Sequence, residues 1–377
     1  MPNSDQSTQP SPLSEYAGQQ IRQWPLTKAF LIAGLILFAV VLLVYGAGVL
    51  IPLAVALLLW FFINALAKGY QRLWSWFLGP LRGLSLLLAL LTIMAASFFA
   101  VGVVITNVSA IGASSADFAK SLNLLLDQVA AYTGLKHEQL LKGIANQLGL
   151  GQLLASIVSA MTNFASQFGV VFIYVIFLLV EQQIFDVKLN AIVRDEARRR
   201  QVRSLLDRVG RDIQSYIWIM TFVSILTAGL SYLVMISVGL EHAAFWAFLI
   251  FILNFIPTIG SIIGTAIPSL YGLLQFGDFQ PFLILLAAIG VIQFLIGNML
   301  QPRLSAKTLN LSQFVVILSL FVWGAMWGIV GMFLAVPITA ILMIVFANFP
   351  STRLVAALLS ESGDVPERAG SATENDA

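Results

Sequence analysis

The chain reads as an all-α integral membrane protein of about eight hydropathy segments, two of them Gly/Pro-broken hairpins entering from opposite faces. Three observations predict this. Only 10% of the residues are charged and the mean hydropathy is +0.91, whereas a soluble chain needs roughly 25% charged residues to face water. Charge-free stretches long enough to cross a bilayer alternate with clusters of Lys and Arg. No ten-residue stretch alternates apolar with polar side chains, as the strand of a membrane barrel would.

Six helical passages follow in order: 29–47, 48–67, 84–107, 160–181, 217–240 and 281–300. The first two form one apolar run, with Gly46, Gly48 and Pro52 expected to supply the turn between them. Loop charge sets the orientation. Of the 20 Lys and Arg, 17 fall before the first passage, in the loops 68–82, 182–216 and 301–311, or after the last passage. Lys120, Lys136 and Lys142 lie in the long loop 109–159. The positive-inside rule therefore places that loop outside and both termini in the cytoplasm. This divides the chain into a polar N-terminal tail (1–28), a transmembrane body (29–350) and a polar C-terminal tail (351–377), predicted to be disordered after Ser360. The N-terminal tail lacks the short apolar core of a signal peptide, so the first passage is expected to remain as an anchor.

Parity makes the two remaining apolar stretches informative. The passage ending near Leu240 exits outside, and the one starting at Pro281 must run inward to reach Arg303. Residues 244–276 therefore start and end outside. Residues 312–347 start and end inside, between Lys307 and Arg353. Each must be a hairpin, and each carries breakers: Pro257, Gly260, Gly264 and Pro268 in the first, Gly324, Gly328, Gly331 and Pro337 in the second. Interrupted helices of this kind occur in secondary transporters, because irregular backbone at membrane depth survives only beside protein or a water-lined cavity. The extramembrane segments read as helical too. Val202, Leu205, Leu206, Val209 and Ile213 make an amphipathic stretch inside, and Phe118, Leu122, Leu125 and Val129 another outside.

Several chemistries are excluded or left without support. The absence of Cys removes disulfides and thiolate metal sites, and a net charge of +2 gives no footing for nucleic acid. No Gly-Lys-Ser or Gly-Lys-Thr supports ATP hydrolysis, and His137 and His242 are the only histidines. No catalytic residue, metal ligand or cofactor is expected.

Three motifs carry a resemblance. They are Asn254-Phe255-Ile256-Pro257-Thr258-Ile259-Gly260-Ser261-Ile262-Ile263-Gly264, continued to Pro268; Asn298-Met299-Leu300-Gln301-Pro302-Arg303; and the run from Phe321 through Trp323-Gly324, Trp327-Gly328 and Gly331 to Pro337. In this order, over about residues 28–360, they resemble the autoinducer-2 exporter family of bacterial membrane proteins. The resemblance implies an eight-segment profile, an inner-membrane location and homo-oligomers, a pentamer among the options. It also implies export of autoinducer-2 in some members and sodium- or lithium-for-proton antiport in others.

The residues divide between packing and transport roles. Gly260/Gly264 and Gly324/Gly328 permit close helix approach. Pro257 and Pro337 release backbone groups that need partners; Asn254, Thr258 and Ser261 could supply them, or could hydrogen-bond a polar solute. Asn298 and Gln301 suit interhelical hydrogen bonds or a neutral ligand, and Arg303 suits an interfacial anchor. Trp74, Trp76, Trp218 and Trp246 sit where a belt is expected. Carboxylates at depth are scarce, and Glu181, at the end of an apolar run, is the one candidate for ion coupling. The expected function is passage of a small polar solute, with a path where the two hairpins meet. An ion antiporter and a non-transporting membrane scaffold are the alternatives.

Overall fold

The computed structural model describes residues 26–74, 82–113, 167–305 and 309–363. Apart from one isolated bridge between Leu311 and Ser360, the regular structure among these residues is helical. Helices α1 (Leu26–Tyr45), α2 (Ala47–Trp74), α3 (Arg82–Ala113) and α4 (Phe168–Ile192) come first, followed by the 43-residue α5 (Glu196–Val238). Helices α6 (Ala243–Leu253), α7 (Ile259–Phe276) and α8 (Phe279–Leu295) follow. A π turn (Ile296–Leu300) joins α8 to α9 (Gln301–Ser305), and α10 (Gln313–Asn348) and α11 (Arg353–Leu359) complete the body. Among the described residues, seven helices are long and apolar enough to cross a membrane.

The break in the first apolar run falls at Gly46 alone, and Pro52 sits buried inside α2. From Phe30 to Tyr45 every residue of α1 but Leu43 is exposed, with Phe30 at 79% and Leu35 at 68%. A helix apolar all round with little protein against it is built to face lipid or another chain.

The basic loop 182–216 is not a separate helix. Helix α4 runs on to Ile192, a three-residue link follows, and α5 continues from Glu196 straight into the membrane passage. Charged side chains end the apolar stretch without ending the helix, because Glu, Arg and Lys are good helix formers and no Pro intervenes. Asp195 caps the start of α5 by accepting from the Ala197 amide at 3.0 Å. The end is closed by Gly239, with the Leu240 amide donating to Met235 O at 2.9 Å, a Schellman arrangement. At 1.5 Å per residue α5 is roughly 65 Å long, about twice the hydrocarbon thickness. Its N-terminal half is held to the end of α4, where Arg203 pairs with Asp186 at 3.0 Å, and to the basic segment 68–82, where Lys68 donates to Gln214 at 3.0 Å.

Both long apolar stretches fold back on themselves. In the first, the Trp246 ring on α6 packs 4.9 Å from that of Tyr271 on α7, and Ile250 lies beside Gly264. Its open end is tied by the Gln275 amide group, which accepts from the Glu241 backbone N–H at 2.8 Å and donates to Gly239 O at 3.1 Å. Eleven residues of α6 span roughly 16 Å, too short to cross about 30 Å of hydrocarbon, so this limb is re-entrant. In the second, Gly328 (φ 63°, ψ −144°) interrupts α10. The Trp323 indole then donates across to Thr339 Oγ1 at 3.3 Å, sixteen residues away, which only a reversed chain allows. The hairpins oppose each other along α5. The first has its base at Gly239, the C-terminal end of α5. The second places Ala340, Met343 and Ala347 in one buried cluster with Val209 and Ile213 of the N-terminal half and Met220 just past the midpoint.

Two expectations change. The segment expected to begin the polar tail instead docks: α11 packs on the body with Ala356 fully buried, and Ser312 N–H donates to Leu359 O at 3.0 Å. Its run Leu354-Val355-Ala356-Ala357-Leu358-Leu359 supplies the apolar face that tail composition as a whole conceals. Trp246 is no belt residue; it is buried between Phe245 and Tyr271, because α6 is sandwiched inside the bundle. The external stretch around Phe118–Val129, Trp76 and most of both tails lie outside the described residues.

Candidate translocation site

The tip of the first hairpin, Asn254–Thr258, is a sequence of tight turns. Ile256 N–H donates to Leu253 O at 2.8 Å and Gly260 N–H to Ile256 O at 2.9 Å. Thr258 has φ +63°, an outlier for a β-branched residue and a conformation that costs on the order of 1–3 kcal/mol. Gly260 is forced by sterics: a Cβ there would land on the Leu253 carbonyl. Ser261 Oγ donates to Thr258 O at 2.8 Å, within the turn. Asn254 reaches out of it, donating from Nδ2 to Ser224 Oγ of α5 at 3.1 Å. Ser224 lies fifteen residues before Gly239, so the tip sits roughly 22 Å along α5 from the hairpin's base. Half-buried Pro257 and buried Pro268 both remove a backbone donor at depth.

The second hairpin is close-packed at its own tip. A Cβ on Gly331 would strike the Trp323 carbonyl, and one on Gly324 would come 2.8 Å from the flexible end of Met332. Pro337 is buried in the returning limb, and its missing N–H deprives the Phe333 carbonyl of the usual helical donor. The tip docks on the α1–α2 break, where the Trp327 indole donates to Leu43 O at 2.9 Å.

The two hairpins touch through Phe255 and Phe333, rings 5.1 Å apart, so they overlap in depth. Asn298 lies exposed on the π turn and donates back to Phe294 O at 3.1 Å. Such a turn is rare and recurs at functional sites. Gln301 reaches Met220 Sδ of α5 at 3.5 Å, and Arg303 on α9 is exposed. Glu181 is placed elsewhere, about half exposed on α4 and paired with Lys188.

Other polar groups gather where the sequence pointed less clearly. Thr221, Ser224, Thr227 and Ser231 line one buried side of α5, and Gln293 is buried on α8. A row of hydroxyls at helical spacing in an apolar passage was the available signal; an amide midway along the apolar run 281–300 was the other. By contrast, a groove of about 360 Å³ between α5 and α6 is walled by Ile225, Ala228, Ala247, Phe248 and Phe251, with Tyr232 beside them, and is almost wholly apolar. No group of three or more potential metal ligands occurs among the described residues.

Taken together, these features define a class: a multi-spanning helical membrane protein in which two broken, opposed hairpins overlap beside one long helix, as in secondary transporters. More specifically, the chain belongs to the AI-2E family transporters, whose profile matches residues 29–351. It is 32% identical over 209 residues to the AI-2 transport protein TqsA of Escherichia coli, covering 55% of this chain and 60% of that protein. It is 35% identical over 190 residues to a Borreliella burgdorferi protein named "Putative transport protein", covering 49% and 51%. The matches thus span about half the length of these relatives.

Proposed function

We propose that the protein moves a small polar solute such as autoinducer-2 across the bacterial inner membrane, as an exporter or facilitator and not as an enzyme. One observation carries this reading: the two hairpins enter from opposite ends of α5 and overlap at Phe255 and Phe333. Backbone released by Pro257, Pro268 and Pro337 then lies at membrane depth, where it needs water, protein or a ligand as partner. The path runs past Asn254, Pro257, Gly260, Ser261 and Gly264 on one side and Gly324, Gly328, Gly331 and Pro337 on the other, with Asn298 and Gln301 along its inner reach. Both termini are cytoplasmic, and the exposed apolar α1 suits lipid or a second copy of the chain in a homo-oligomer. TqsA, a relative named for AI-2 transport, supports the choice of solute. The ion-antiport alternative has Glu181 as its best group, and the Glu181–Lys188 pair favours a surface role for that carboxylate instead.

The test is flux in proteoliposomes holding the purified chain, with labelled autoinducer-2 and a panel of neutral solutes, with and without sodium and proton gradients. Passage of a polar solute above protein-free vesicles is expected. Ion-driven exchange abolished by Glu181→Gln, with no solute flux, would replace this reading with the antiporter.

A further inference from the structure

Hydroxyls in a membrane helix normally give their proton to the carbonyl one turn back, because hydrocarbon offers nothing else. Thr92, Thr106, Thr227, Thr265 and Ser269 all do so here. Thr221 and Ser231 do not. Their hydroxyls are buried on α5 with no hydrogen-bond partner, and the Gln293 side-chain nitrogen is likewise buried and unpartnered. Thr221 is 8%, Ser231 0% and Gln293 7% exposed.

These groups belong to one place. Thr221, Ser224, Thr227 and Ser231 recur at i, i+3, i+6 and i+10, one side of α5 over roughly 15 Å. Helix α8 lies against both α5 and α7 and runs antiparallel to α5, since Leu285 and Leu240 both crowd Gly272 while Gln301 reaches Met220. Eight residues, about 12 Å, before Gln301, Gln293 therefore stands level with Thr227 and Ser231. Its nitrogen would lie 3.3 Å from a Cβ on Gly264, so it points at α7 where Pro268 withholds the amide that the Gly264 carbonyl would otherwise receive. At its other end the row is anchored by Asn254, through Ser224. An uncommitted donor and uncommitted hydroxyls in hydrocarbon are destabilising unless something uses them.

We infer that this seam between α5, α7 and α8 is the specificity-determining part of the solute path, with Gln293 as the principal hydrogen-bonding group. The inference rests on the transport reading above. The seam itself is uncharged, so the class it takes is a small neutral solute rich in hydroxyl or carbonyl groups.

The experiment compares wild type with Gln293→Met and Ser231→Ala in proteoliposomes loaded with glycerol, erythritol or xylitol, alongside thermal unfolding of each purified protein. Met keeps the volume of Gln293 and removes an unpartnered donor, so the melting temperature should hold or rise while polyol flux falls about tenfold. Ser231→Ala should behave the same way, with a smaller drop in flux. Unchanged polyol flux in both variants overturns the seam while leaving transport standing. A lower melting temperature in both variants overturns it too, since the groups would then be structural. If wild type passes no polyol or other solute, the transport reading fails first and the seam falls with it.

Discussion

The Trp327 indole nitrogen donates to the main-chain carbonyl of Leu43 over 2.9 Å, tying the tip of the second hairpin to the break between α1 and α2. Leu43 stands in the last turn of α1, where carbonyls lose their helical donors. In hydrocarbon such a group must find a partner inside the protein. Two broken helices thus complete each other, one supplying the acceptor and the other the donor.

Replacing Trp327 by Phe keeps most of the ring and removes the donor. The orphaned Leu43 carbonyl should cost about 1–3 kcal/mol. Thermal unfolding in detergent should fall by several degrees, and an unchanged melting temperature would show that water or lipid headgroups already satisfy Leu43.

Gly260 and Gly229 make a matched pair. Alanine at 260 collides with the Leu253 carbonyl, backbone that cannot swing aside, and should cost roughly 3 kcal/mol or more. Alanine at 229 meets nothing within 4 Å and improves helix propensity. Gly260→Ala should therefore yield aggregated or heat-labile protein while Gly229→Ala unfolds at or above the wild-type temperature. Equal stability for the two would refute the tight turn at Leu253–Gly260.

Gly328 poses a different problem, since its surroundings are open and only its backbone is unusual. An L side chain at φ 63°, ψ −144° is strained by about 1–3 kcal/mol whatever the space. Gly328→Ala should lower stability and loosen the second hairpin, read as faster proteolysis near residue 328. A variant that resists protease as well as wild type would mean that the reversal does not need this conformation.

The proposed orientation is open to labelling, because the chain has no native Cys. Arg198 is well exposed on α5, and Glu241 is exposed near the base of the first hairpin. Arg198→Cys should resist a membrane-impermeant thiol reagent in intact cells, while Glu241→Cys should react. The opposite pattern would invert the whole bundle.

Much of this architecture was legible in the chain. Passage through a bilayer depends on the transfer free energy of each side chain and on loop charge, both local properties, so the helical class and the parity argument for two hairpins needed no partner information. The breakers Pro257, Gly260, Gly328 and Pro337 marked the hairpins because Pro and Gly act on their own backbone, whatever surrounds them. What tertiary structure alone decided was who meets whom. That the second hairpin's tip docks at Leu43, that Trp246 lies inside instead of in a belt, and that α11 folds onto the body all depend on contacts between residues far apart in sequence. The same holds for Thr221, Ser231 and Gln293. Each is an unremarkable polar residue in its own helix, and only the packing of α5, α7 and α8 buries it without a partner. Hydropathy measures the environment a side chain prefers; the neighbour it receives is set by helix register and crossing, which no single segment encodes.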